Sequence, residues 1–451
     1  MKLPLVPPSL ETLMAKADPR AFAAIFTGPQ PALVNGQYLH WDELRHRTPP
    51  EGISPEQWWL AIKMARIAHG QTLPLADKDG RPFAFSMPEP VVRALHFIDR
   101  DAAGQILMDD PVATPQERDR YLVSSLIEEA ITSSQLEGAS TTRRVAEDML
   151  RAGRKPRTMS ERMIFNNYQA MRHIRAIRDE PLSLELILEL HRQVSERTLD
   201  NPEEIGRLRR SDDIHVVDER DGRLLHVPPK AKYLPERLER LCAFANGGED
   251  DKPYIHPVIR AILLHFMIGY EHPFADGNGR TARALFYWAM IRQGYWLTEY
   301  LSISSILRRA PAQYARAYLH TETDGNDTTY FVLHQLDVIH QAVDALHVYL
   351  KRKAKEARAT ERLLEAAMHR LKTSLNHRQV ALLGHALKHR DARYTIESHR
   401  HSHAVSYATA RADLLHLVNL DLLKGDKQGK ALIFLVSENL DNKIESLTQS
   451  K

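Results

Sequence analysis

The sequence predicts a mainly α fold: a helical central domain carrying one β-hairpin, an N-terminal α+β extension and a small C-terminal module. Three observations carry this reading. Residues 116–355 are almost continuously helical in pattern, with breaks near 153–157, 180–183, 201–206, 247–252 and 272–279. Inside that text, Ile214-His215-Val216-Val217-Asp218 and Arg223-Leu224-Leu225-His226-Val227 flank an Asp221-Gly222 turn and end at Pro228-Pro229, which is a hairpin signal. After residue 370 the pattern shifts to short helices and a glycine-containing turn before the apolar run Ala431-Leu432-Ile433-Phe434. A chain of 451 residues holds about two to four domains, here divided as 1–115, 116–355 and 370–440.

The first 115 residues are punctuated by Pro7-Pro8, Pro49-Pro50, Pro88 and Pro90. Asn35-Gly36 between Ala32-Leu33-Val34 and Gln37-Tyr38-Leu39 reads as a hairpin, and Asp77-Lys78-Asp79-Gly80 as a second turn. Ser54 with Gln57 reads as a capping box opening a helix that carries Trp58, Trp59 and Ile62, expected in the core. No chemistry is evident in this part.

Composition excludes several classes. Hydrophobic content of 43% and charged content of 26% are ordinary for a globular chain, and a net charge of +3 does not mark the whole chain as a polyanion binder. One cysteine, Cys242, cannot build an intramolecular disulfide framework and fits a reducing compartment. The most apolar stretch, 261–270 (AILLHFMIGY), is half the length of a membrane span and reads as a buried helix leading into His272. With prolines where a secretory signal needs an apolar helix, a cytoplasmic location without a membrane partner is expected.

The chemistry concentrates in His272-Pro273-Phe274-Ala275-Asp276-Gly277-Asn278-Gly279-Arg280-Thr281-Ala282-Arg283. Asp276–Gly279 cannot propagate a helix, whereas the residues from Arg280 onward can, so the segment reads as a loop ending at a helix N-terminus. Such an end presents free N–H groups and partial positive charge to phosphate. Arg280 and Arg283 are three apart, on one face, and can converge on a polyanion. Asp276 offers a hard oxygen ligand for Mg²⁺, and His272 titrates near neutrality and can accept a hydroxyl proton. These parts suit transfer of a phosphorus-centred group from a nucleotide to an alcohol.

A second motif lies upstream. Ser133-Ser134-Gln135-Leu136-Glu137-Gly138 follows a helical run, with Ser133 and Glu137 on one face and Gly138 as the helix stop. A carboxylate at a helix C-terminus is disfavoured by the dipole, so Glu137 should have a cationic partner.

The first motif resembles the Fic family signature HxFx[D/E]GNGRxxR at every specified position, and the second resembles that family's inhibitory motif [S/T]xxxE[G/N]. The resemblance covers about residues 116–355. It implies protein adenylylation: AMP passes from ATP to a Ser, Thr or Tyr hydroxyl of a target protein, or of the chain itself, releasing pyrophosphate. His272 would be the base and Asp276 the Mg²⁺ ligand. Gly277, Asn278 and Gly279 would cradle the anion, with Arg280 and Arg283 on the β- and γ-phosphates and Phe274 anchoring the loop. Glu137, with Ser133 and Gly138 in its motif, would pair with Arg283 and obstruct ATP. The hairpin would be the flap that docks the target by edge pairing, through Val216, Val217 and Leu225, and Gly206-Arg207-Leu208-Arg209 before it is also similar to the family. Tyr314 and Tyr318 are weaker candidates for nucleotide walls. Doc-type kinases of the same fold carry Lys in place of Gly279, so Gly279 favours AMP transfer. Removal of AMP by the same site is the alternative direction, and a homodimer is left open.

Residues 340–372 form a charged helix including the basic run 351–355, read as a solvated connector. Residues 373–440 look like a winged helix. Asn376 to Leu387 gives a first helix, residues 406–414 resemble a recognition helix, and Lys424-Gly425-Asp426-Lys427-Gln428-Gly429-Lys430 reads as the wing turn, with Asp421 in place of the usual Gly. Tyr407, Arg411, Lys424, Lys427 and Lys430 could touch DNA, which gives a DNA-bound regulator as a further alternative. His399, His401 and His403 read as solvated or capping groups, not metal ligands.

Overall fold

The structure, a computed structural model, describes residues 2–16, 32–103, 115–218, 220–371, 375–428, 431–440 and 442–444. It divides into two compact units, Met1–Leu346 and His347–Lys451.

The first unit is built around two successive helices, Pro257–Glu271 and Asn278–Arg292, which pack along each other. Both are buried nearly all round: Ile262, Leu263, Leu264, Phe266, Leu285, Tyr287 and Trp288 expose essentially no surface. A helix apolar on every face is stable only when enclosed. The helices Pro115–Leu136, Met159–Ala176, Leu184–Ser195 and Leu234–Ala245 supply the enclosure. The apolar stretch 261–270 is thus an interior helix that delivers His272 at its end.

The N-terminal part belongs to the same unit. Ser54 and Gln57 form the expected capping box on helix Pro55–Ala68, and Trp59 is buried in a small cluster with Trp41, Leu44 and Ile62. Strands β1 (Gly70–Ala76) and β2 (Pro82–Ser86) pair around the Asp77–Gly80 turn, whose Asp77 carboxylate accepts from the Asp79 and Arg81 amides. Asn35 and Gly36 both have positive φ, but the hairpin expected there is only a single bridge, Val34 with Gln37. A hairpin that short is not self-sufficient, and this one rests on neighbouring packing. Buried polar contacts fasten the part to the helices: Tyr38 donates to Asp327 (2.6 Å), Lys63 pairs with Asp324 (2.8 Å), and Arg66 donates to the Tyr330 hydroxyl (2.7 Å).

The predicted hairpin forms as β3 (Val216–Asp218) and β4 (Arg223–His226), antiparallel, with Gly222 at positive φ. In the second unit, helices His377–Lys388, Ile396–His403 and Tyr407–Asn419 pack on a sheet ordered β5 (Arg393–Thr395), β7 (Ala431–Val436), β6 (Leu423–Gln428). Its core includes Leu383, Ala386, Ala410, Leu414, Leu417 and Phe434. Asp421 takes φ 59°, the left-handed geometry its position requires. Gly429, Lys430 and the Lys427 side chain lie outside the described residues. The charged connector is part of one helix, Thr329–Leu371. Among the described residues no helix is long and apolar enough to cross a membrane.

Candidate active site

Helix Pro257–Glu271 stops at His272, which adopts the left-handed conformation (φ 44°, ψ 58°). A non-glycine residue there is uncommon and must be held by its surroundings. The His272 Nδ1 lies 3.3 Å from the Gly269 carbonyl. A carbonyl only accepts, so Nδ1 carries the proton and Nε2 is left as a lone-pair acceptor. Burial pulls the imidazole pKa down to about 4 against the opposing Gly269 carbonyl, so the group is neutral at neutral pH. It has the tautomer and charge of a general base.

The turn after His272 is fixed by three devices. The Asn278 side chain accepts from the Phe274 amide (2.9 Å) and donates to the Phe274 carbonyl (2.8 Å). Phe274 is fully buried and stacks on His191, 3.7 Å between centroids and 2° between planes. His191 Nδ1 accepts from the Gly206 amide (3.1 Å), which leaves Nε2–H to donate to the Asp276 carbonyl (3.0 Å). Nothing in the sequence singled out His191; its role depends on contacts 85 residues away in the chain. Gly277 opens the next helix at φ 81°, a conformation that disfavours any side chain.

Asp276 is the exposed member of this turn, its side chain more than half accessible. Its Oδ1 accepts from the Gly277 amide (2.6 Å), and Oδ2 lies 3.5 Å from Arg280. Among the described residues no group of three His, Cys, Asp or Glu could hold a metal ion. A lone carboxylate facing solvent nonetheless fits Mg²⁺, which keeps several waters and takes its other ligands from phosphate.

The two arginines do not share a partner. Arg280 is wholly buried, donates from Nη1 to the Val194 carbonyl (2.8 Å), and its Nε has no hydrogen-bond partner. Arg283 turns to the 133–137 segment: Nε donates to the Ser133 hydroxyl (2.8 Å), and Nη2 donates to the Ser133 carbonyl (2.9 Å) and to Glu137 Oε1 (3.0 Å). Helix Pro115–Leu136 ends just before Glu137, and Gly138 takes φ 87°. A Cβ placed on Gly279 would lie 2.2 Å from Glu137 Oε1 and 2.9 Å from Arg283 Nη1. The Glu137 carboxylate therefore sits on the bare backbone of the first helical turn, where a phosphate would be drawn. Buried Glu129, two helical turns upstream, accepts from Ser302 and Ser304 and fixes this helix to the core.

The hairpin exposes Val217 and Leu224, which pair with each other. Val216 and Leu225 are half-buried, so the outward apolar partner of Val217 is Leu224, not the Leu225 chosen from the sequence. The cause is a register shift between Val216 and Val217. Buried His226 closes the root of β4, with Glu322 at Nδ1 and the Tyr270 carbonyl at Nε2, both at 2.7 Å. The Tyr314 hydroxyl is 2.7 Å from His265 Nε2, and the Tyr318 hydroxyl crowds the Gly269 backbone. Both hydroxyls point into the core, and both residues are half-buried.

Residues 181–290 match the Fic/DOC family model. A protein adenylyltransferase Fic of Nematostella vectensis is 37% identical over 120 residues, 26% of this chain and 25% of that protein. Protein adenylyltransferase fic-1 of Caenorhabditis elegans is 35% identical over 116 residues, 26% of this chain and 20% of that protein. The chain thus spans a quarter or less of the length of these relatives. A crystal structure of a Fic family protein from Desulfovibrio desulfuricans G20 superposes with a TM-score of 0.50 over 78% of this chain and 98% of its own, at 16% identity. Residues 181–290 are thus similar to the Fic/DOC family, and the chain shares its fold with a Fic family protein.

Proposed function

We propose that this chain is a protein adenylyltransferase held inactive by Glu137. The observation that carries the reading is the anion position at the start of helix Asn278–Arg292: it combines bare Gly279 backbone with Arg283 and is filled by a carboxylate of the chain itself. Relatives that match over the same region are named protein adenylyltransferases.

In the proposed reaction the target hydroxyl gives its proton to His272 Nε2 as its oxygen bonds to the α-phosphorus of ATP. The bond from that phosphorus to the bridging oxygen breaks and pyrophosphate leaves. The Gly277–Gly279 backbone and Arg283 stabilise the phosphates electrostatically, and the buried charge of Arg280 adds to the positive field at the same helix start. Asp276 would hold Mg²⁺, which neutralises phosphate charge when bound. The edge of β3 and β4 receives the target backbone, with Val217 and Leu224 against its side chains.

Incubation of the Glu137→Gly protein with labelled ATP and a cell lysate, followed by mass spectrometry, tests the reading. AMP should appear on hydroxyl side chains, and should not when His272→Ala is added. Absence of label from a folded Glu137→Gly protein refutes it. We read residues 373–440 as a winged helix, from the three helices and antiparallel sheet described there, with Tyr407 exposed at the start of helix Tyr407–Asn419. A band-shift assay with residues 373–451 would decide whether that surface meets DNA.

A further inference from the structure

Arg209 sits in the segment that leads into β3, with its side chain almost wholly buried. Its guanidinium serves three backbone segments. Nε donates to the His272 carbonyl (2.9 Å), Nη1 to the Ser211 carbonyl (2.8 Å), and Nη2 to the Pro229 carbonyl. The Arg209 amide donates to the Pro273 carbonyl (2.9 Å). Ser211 precedes β3 and Pro229 follows β4, so one planar fork joins both roots of the hairpin to the residue that carries the imidazole. Its carboxylate neighbour, Asp212, is more than half exposed, lies 3.5 Å away, and accepts a shorter bond from the Ala231 amide (2.7 Å). Burial correspondingly pulls the guanidinium pKa below its ordinary value.

A buried cation carries a desolvation cost of several kcal/mol, which several hydrogen bonds must offset. Here those bonds are placed where they constrain function. His272 is left-handed, a conformation that persists only if its flanking peptides are held. Its amide is held by Ile268, and its carbonyl is held by Arg209. Rotation of that second peptide would swing the imidazole away from the anion site.

Resting on the adenylyltransferase reading, we propose that Arg209 is a positioning residue that couples the flap to the base. A target strand that pairs with β3 or β4 stiffens the hairpin roots. The rigid fork passes that constraint to the His272 peptide, so docking and alignment of the base occur together.

The test uses the full chain with Glu137→Gly, into which Arg209→Lys or Arg209→Met is introduced. Lysine keeps the charge but lacks the fork and cannot reach three carbonyls. Two readouts are taken: label transfer from ATP to the chain and to lysate proteins, and amide hydrogen exchange. Transfer at saturating ATP should fall by ~10²-fold for Met and less for Lys, because a misplacement of about 1 Å has that effect. The apparent KM for ATP should stay where it was, since no phosphate contact is touched. Exchange in residues 214–227 and in 272–276 should accelerate together. Unchanged transfer in a folded Arg209→Met protein overturns the proposal. So does faster exchange of the hairpin alone, which would make Arg209 a fastener of the flap only. If the Glu137→Gly parent transfers no label, the adenylyltransferase reading fails, while the exchange experiment still decides whether the two segments are linked.

Discussion

Replacing Glu137 by glycine should convert a poor AMP transferase into an active one, and the gain can be bounded from the structure. Arg283 donates one hydrogen bond to Glu137 and two to Ser133. Its side chain is 3% exposed, and that of Glu137 is 21% exposed. Breaking a fully buried ion pair costs about 3–5 kcal/mol. This pair deserves less, because Glu137 is partly solvated and Arg283 keeps both Ser133 contacts. A charged hydrogen bond of about 2 kcal/mol is the fitting figure. Since 1.4 kcal/mol is tenfold, ATP affinity should rise by roughly 30-fold. The same substitution clears the carboxylate from Gly279, opening the first helical turn to phosphate. Titration calorimetry with ATP and Mg²⁺ measures the affinity, and autoradiography with labelled ATP measures transfer. Arg283→Ala should not reproduce the gain, because it releases Glu137 but removes the phosphate ligand. No gain in Glu137→Gly, or an equal gain in Arg283→Ala, would refute competition for one cation.

Four further outcomes are expected. His272 is held neutral by burial, with its pKa lowered to about 4, so AMP transfer should persist below pH 6.5 and fail only as the pH approaches about 4. An acid limb of the rate profile centred at 6.5 would contradict this. Buried His191 and His320 are likewise lowered to about 4. The unfolded chain then binds more protons than the folded one between pH 6.5 and 4, so denaturant midpoints should fall as pH is lowered through that window. Val217→Asp or Leu224→Asp should raise the KM for an isolated target about tenfold, the weight of one good interface contact, and leave that for ATP unchanged; equal effects on both would indicate damage to the core. Gly206→Ala forces a side chain to φ 68° with Cβ 2.9 Å from Arg192, and should cost about 1–2 kcal/mol in urea denaturation, an unchanged midpoint being the contrary result.

Local chemistry made much of this protein legible from its sequence. The Ser54–Gln57 cap, the Asp221-Gly222 turn, the stop at Gly138 and the turn at Gly277 each depend on residues a few positions apart, so the sequence contains both partners. The buried helix before His272 was readable for the same reason, since ten apolar-rich residues too short to span a membrane must lie inside a fold. The chemistry of Glu137 alone required a cation, and only the family resemblance named Arg283; the contact joins residues 146 apart. Tertiary structure decided the rest. The Asn35-Gly36 signal yields, among the described residues, one bridge, Val34 with Gln37. Arg280 and Arg283 share a helix face yet face different partners, since Val194 and Ser133 approach from different helices. His191 and Arg209 act through neighbours brought together by folding, which no spacing reports. Leu224 rather than Leu225 faces outward beside Val217 because a single irregularity after Val216 shifts the pairing by one. Strand side chains alternate with a period of two, so a shift of one residue exchanges the faces, and only the folded pairing reveals it.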